Sequence, residues 1–175
     1  MEIRQPGSHL DQLIRQTRSH HVRLSSMADM KANMILTLAS LMIPLSIRYL
    51  EVPRVQWAAV TMIGFCVLTV ILSAYAAMPK VSLRLGKRPL PDIDNPMFNI
   101  LFFGSFIDMD YDRFKKAMEN IMNDHSMAYE VQLREVYTMG QYLSRQKYRF
   151  IMLAYMTFIT GMILSTAVYG LDFLF

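Results

Sequence analysis

A chain of 175 residues that is 53% hydrophobic, with a mean hydropathy of +0.23, carries more apolar side chain than a soluble domain of its size usually does, so a membrane protein is the first reading. The formal net charge is only +4, and in such a chain the side on which the bases fall matters more than their sum. A lone cysteine, Cys66, excludes an internal disulfide, and the 16 methionines sit mostly at apolar positions where flexible thioethers fill gaps rather than hold a cofactor.

The first thirty residues lack an apolar core and a small-residue cleavage site, so the amino terminus is expected to stay where it is made. Pro6-Gly7 and then Ser8 as N-cap predict the start of a helix. From there Leu10, Leu13, Ile14, Leu24 and Ala28 fall at helical spacing, with Arg15, Arg18 and Arg23 on other faces. Asp29 and Lys31 close this amphipathic stretch, and no helix breaker separates it from the uncharged run that follows. Residues 32–50 rise about 28 Å as a helix, enough for a first transmembrane span if Arg48 snorkels outward. Pro44 is expected to kink it.

A polar turn, Glu51-Val52-Pro53-Arg54, leads into a second uncharged span at residues 55–79. Lys80, Arg84, Lys87 and Arg88 follow in quick succession, and prolines 89, 91 and 96 forbid a continuous helix beyond them. The segment 98–107, FNILFFGSFI, is too short to span and too apolar for a free loop, so it is expected to pack on the membrane surface or on neighbouring helices. Asp108, Asp110 and Asp112 suit the first turn of the next helix, whose apolar side is Phe114, Met118, Ile121 and Met122. At residues 123–126 the helix either breaks and recaps or runs on with a bend. A long helix then leads through Lys147-Tyr148-Arg149 into a third uncharged span that begins at residue 150.

Of the 18 basic residues, only Arg48 and Arg54 lie between spans one and two and none follows span three; the other sixteen precede span one or lie between spans two and three. The positive-inside rule therefore predicts the amino terminus and the middle region inside and the carboxyl terminus outside. The expected organisation is an all-α membrane protein with three transmembrane helices. It comprises a cytosolic amphipathic helix (1–31), a transmembrane hairpin (32–79, with spans 32–50 and 55–79), cytosolic linker and helices (80–149), and a third span with a short outer tail (150–175). Extensions of spans one and three form the small helical cytosolic domain.

Little here supports catalysis. His9, His20, His21 and His125 show no metal-ligand spacing, Gly104-Ser105 is no phosphate loop, and no nucleophile motif or paired catalytic carboxylate is recognisable. No catalytic residue, metal or cofactor is assigned, and no enzyme activity is expected. The basic run after residue 79 reads as a positive-inside flank meeting anionic lipid rather than as a nucleic-acid site. Asp108, Asp110 and Asp112 lack the central glycine and terminal glutamate of a calcium loop, so they read as helix caps. On span three Thr157, Gly161 and Ser165 repeat every four residues, as do Thr69, Ser73 and Ala77 on span two, which favours close helix packing within or between chains. Asp29 and Lys31 read either as interfacial anchors or as partners of Arg145, Lys147 or Arg149, which reach the same depth from span three. In the second case they couple the cytosolic helices to the bundle.

Three motifs carry a resemblance: Met27-Ala-Asp-Met-Lys-Ala32 opening the first span, Asn99-Ile-Leu-Phe-Phe-Gly-Ser105 before a helix containing Tyr111, and Val136-Tyr137 followed by Leu143-Ser-Arg-Gln-Lys-Tyr148 before the last span. In this order, over nearly the whole chain, the sequence resembles the transmembrane effectors of the Pycsar antiphage systems. The resemblance implies a multi-pass protein of the bacterial inner membrane, activated by a cyclic pyrimidine nucleotide from a partner cyclase during phage infection, that impairs membrane integrity. A homo-oligomer in the lipid bilayer is the expected state. Such a ligand needs an anion site and an aromatic face, for which Lys31, Phe103, Gly104, Ser105 and Lys147 are the candidates, with Asp29, Lys31, Arg145 and Arg149 as the coupling group. The rival reading is a constitutive oligomeric membrane scaffold or channel without nucleotide input.

Overall fold

The computed structural model describes residues 7–78 and 98–174, and every regular element among them is helical. Chain order is α1 (Ser8–Ile47), α2 (Gln56–Ala77), a single turn α3 (Phe103–Phe106), α4 (Tyr111–Asn123), α5 (His125–Tyr142), a π-helical turn (Leu143–Tyr148) and α6 (Arg149–Leu174). The basic run at 80–88 and the proline-punctuated stretch up to residue 96 lie outside the described residues. Three helical runs are long and apolar enough to cross a membrane: Ser8–Ile47, Gln56–Ala77 and His125–Asp172.

The described residues divide into two compact units, one of residues 7–23 with 98–142, the other of residues 24–78 with 143–174. In the second unit, the uncharged runs pack along seams of mostly small side chains. On α1 the buried positions are Ala28, Ala32, Ile35, Ala39 and Ser46, alternating three- and four-residue steps with partly buried Met42 between the last two. On α2 they include Met62, Cys66, Thr69, Ser73 and Ala76, and on α6 Ile151, Ala154 and Gly161. Such alternation keeps one stripe of a helix facing its neighbour, and small residues bring the backbones close. Ala28 and Ala32 meet Ala76 and Ile151 in one cluster; Ala39 meets Met62 and Cys66 in another. The α1–α2 connection is a short series of turns, with Tyr49 N donating to Ser46 O at 3.0 Å and Leu50 N to Ile47 O at 3.1 Å. Helix α1 therefore stops at Ile47, and Pro44 sits less than one turn before its end. Met78, just before Pro79, is extended with ψ 132°, the conformation a following proline imposes.

Ser165 Oγ donates to the Ala58 carbonyl across the α2–α6 contact at 2.9 Å. Thr69 and Ser73 instead return their hydroxyls to carbonyls of their own helix four residues back. Gly161 abuts Phe65 so closely that an added Cβ would overlap the Phe65 side chain. Tyr75 and Phe150 meet edge to face, with centroids 4.5 Å apart.

In the first unit, Ile100, Ala117 and Val131 are buried against Phe98, Leu101, Phe114, Met118 and Ile121. The segment before α3 is clipped to α5 at two points. Buried Asn99 donates from Nδ2 to Thr138 Oγ1 at 3.0 Å and accepts from Leu101 N at 3.1 Å, while Arg134 Nη1 donates to the Phe98 carbonyl at 2.9 Å. Asp110 caps α4 by accepting from Asp112 N. The chain breaks at Asp124 and restarts there, its Oδ1 accepting from Ser126 N at 2.9 Å and Met127 N at 3.3 Å. The start of α1 joins this unit through Tyr129 Oη donating to Asp11 Oδ1 at 2.7 Å and an Arg18–Glu135 ion pair at 3.1 Å.

The seam yields a direct test. Gly161→Ala forces a methyl into Phe65 and should cost about 1–3 kcal/mol, seen as a lower unfolding midpoint in detergent. Gly64→Ala and Gly170→Ala, where an added Cβ meets nothing, should leave the midpoint no lower.

Candidate functional site

A lysine at the mouth of an apolar bundle must find acceptors or leave its ammonium desolvated, at a cost of several kcal/mol. Lys147 is 8% exposed. Its Nζ donates to Asp29 Oδ1 at 2.7 Å, to Asp29 Oδ2 at 2.8 Å and to Ser25 Oγ at 2.9 Å. Ser25 and Asp29 are four residues apart on α1 and so share a face. Local backbone makes the contact possible, because Leu143–Tyr148 is wound as a π-helix rather than an α-helix. Such a turn holds an extra residue and re-aims the side chains within it. Lys147 and Tyr148, adjacent in sequence, both address α1, the tyrosine donating to the Leu24 carbonyl at 3.1 Å. Two turns on, Tyr155 donates to the Lys31 carbonyl at 3.4 Å. Ala28 and Ala32, both 0% exposed, let the helices close around these contacts.

Asp29 and Lys147 are thus brought together. Lys31, Arg145 and Arg149 are exposed and make no ion pair with Asp29. Gly161 and Ser165 face α2, and Thr157 is half-buried. Phe103, Gly104 and Ser105 lie in α3, in the other compact unit from Lys31 and Lys147. There the Phe102 and Phe103 rings are 4.9 Å apart, both half exposed, and the Ser105 N–H is bound to the Phe102 carbonyl at 2.9 Å.

Sequence reasoning passed over a groove of about 380 Å³ within the first unit. Phe98, Ile100, Ile121 and Val131 form its apolar lining, and Asn120 and Arg134 are among its polar residues. Its one signal in the sequence, Glu130 and Arg134 at i and i+4, is indistinguishable from an ordinary pair on a helix surface. Among the described residues no group of His, Cys, Asp and Glu is placed to hold a metal ion.

Lys147→Met strands the Asp29 carboxylate beside Ser25. The ammonium is buried but Asp29 is partly exposed, its side chain 43% accessible, so the expected loss is about 1–3 kcal/mol. In a double-mutant cycle with Asp29→Asn the two losses should fall short of additive, read from unfolding midpoints in detergent. Strict additivity would show that the two groups do not interact.

A family model described as the Pycsar effector protein domain matches residues 12–172. No curated protein and no solved structure matches the chain. Apart from the first residues of α1, the matched stretch takes in all three apolar helices, the π-helical turn with Lys147, and the groove. The chain is a multi-pass membrane protein that belongs to the Pycsar effector family, effectors of antiphage cyclic-nucleotide signalling.

Proposed function

We propose that this protein lies in the bacterial inner membrane as a homo-oligomer, with its amino terminus and the region between spans two and three in the cytosol. There it senses a cyclic pyrimidine mononucleotide made by a partner cyclase, and it answers by impairing the membrane. Support for the orientation comes from the sixteen bases on the proposed inner side. Family membership supports the nucleotide input. The observation that carries the mechanism is Lys147, bound to Asp29 and Ser25, which ties the π-helical turn leading into α6 to α1.

In this reading Asp29 and Lys147 are the coupling pair. Helix α1 is unbroken from Ser8 to Ile47, and α5, the π-helical turn and α6 follow without a gap, so a change felt at one end of either helical run has a covalent path to the other. A π-helical turn suits such a path. It sits one residue out of register with an α-helix, and relaxing it would rotate α6 relative to the seam it packs against. Opening the Lys147 contacts is the step at which the bundle yields.

Proteoliposomes loaded with a self-quenched dye test this. The wild-type protein should hold the dye until 3′,5′-cyclic UMP or 3′,5′-cyclic CMP is added, and Asp29→Asn should leak without nucleotide. A wild type that leaks equally with and without every cyclic nucleotide would favour the constitutive channel instead. An Asp29→Asn protein that stays tight and still fires normally would reduce the pair to an anchor.

A further inference from the structure

We propose that the activating nucleotide binds in the groove formed by residues 98–100, α4 and α5, with Arg134 as its phosphate ligand. This rests on the cyclic-nucleotide reading above and adds the location. The groove's volume of about 380 Å³ lies within the range of roughly 300–1,000 Å³ common for small-molecule sites, which combine apolar walls with a few fixed polar groups. Ile100 and Val131, 3% and 8% exposed, belong to the unit's core and so give the groove a firm wall. Phe98 adds an aromatic ring of the kind on which a pyrimidine stacks.

The polar groups match the rest of a cyclic mononucleotide. Arg134 is the one cation among the described residues of the lining. Its guanidinium is held by the Phe98 carbonyl at 2.9 Å and by Glu130 Oε1 at 2.9 Å. A guanidinium has five N–H donors, so these contacts orient it and leave others for a phosphate. Asn120 is exposed and makes no hydrogen bond among the described residues, and its amide offers both a donor and an acceptor to a pyrimidine edge. Asp124 also lines the groove, but its Oδ1 is turned to the N–H groups of Ser126 and Met127, which offsets its charge.

Competing anion sites are weaker on the same criteria. Lys147 is buried and already bound to the Asp29 carboxylate and to Ser25 Oγ. The turn Phe103–Phe106 is four residues long, too short to gather a helix dipole. Arg113, Lys115 and Lys116 lie with Asp112 and Glu119 on a surface without an apolar wall. Among the described residues the groove joins a cation fixed by two hydrogen bonds, an aromatic ring and the Asn120 amide.

The full chain in nanodiscs is titrated calorimetrically with 3′,5′-cyclic UMP and 3′,5′-cyclic CMP. Asn120→Trp fills the groove from an exposed position and should abolish binding without lowering the unfolding midpoint. Arg134→Gln should weaken binding by at least about a hundredfold, and Asn120→Ala by about tenfold. Lys116→Ala, outside the groove, should bind as wild type. Wild-type binding with undiminished affinity in both Asn120→Trp and Arg134→Gln would overturn the site and leave the nucleotide reading standing. A wild type that binds neither nucleotide overturns both.

Discussion

An ammonium group enclosed by apolar helices needs a counter-charge and hydrogen-bond acceptors, and at Lys147 the Asp29 carboxylate and the Ser25 hydroxyl supply them. Much of the second unit is arranged to let this happen. The π-helical turn brings Lys147 to α1, the alanines at 28 and 32 let α1 approach, and Tyr148 adds a bond to the Leu24 carbonyl one turn away. The contact therefore sets the burial cost of the ammonium against its ion pair and hydrogen bonds.

The seams below it have a different logic. In lipid, helices gain nothing from burying apolar side chains, so association depends on close backbones and on satisfied hydroxyls. Gly161 against Phe65 and Ser165 on the Ala58 carbonyl show both devices at one interface. The first unit is held by polar clips around a modest apolar cluster. Asn99 and Arg134 fasten the 98–101 segment to α5, and the groove opens beside that fastening. Arg134, the proposed sensing residue, lies thirteen residues before Lys147, the proposed coupling residue, in the sequence.

What could be read in advance was what depends on local composition. The uncharged runs that give three spans, the capping of α4 by an aspartate, and the small residues at four-residue steps are all local properties, and the helices and caps are present. The end of α1 was placed at residue 50, but backbone turns after Ile47 close the helix earlier. The break at Asp124 stood open, since Asp-His-Ser permits either outcome until tertiary packing decides between them. The π-helical turn has no compositional mark, so nothing in Leu143-Ser-Arg-Gln-Lys-Tyr148 singles out the middle base of the three near Asp29 as the one that meets it. The groove stayed hidden for a similar reason: Phe98, Asn120 and Arg134 are distant in sequence, and only the fold assembles them.

In the proposed mechanism the Lys147 contacts hold the π-helical turn in place. Amide hydrogen exchange over Leu143–Tyr148 measures this most directly, comparing the wild-type chain with Lys147→Met in the same nanodiscs. Faster exchange in the variant, concentrated in this turn and in α1 around Ser25 and Asp29, is the predicted result. Identical protection in both proteins would contradict it and would leave the π-helical turn without the cause assigned to it.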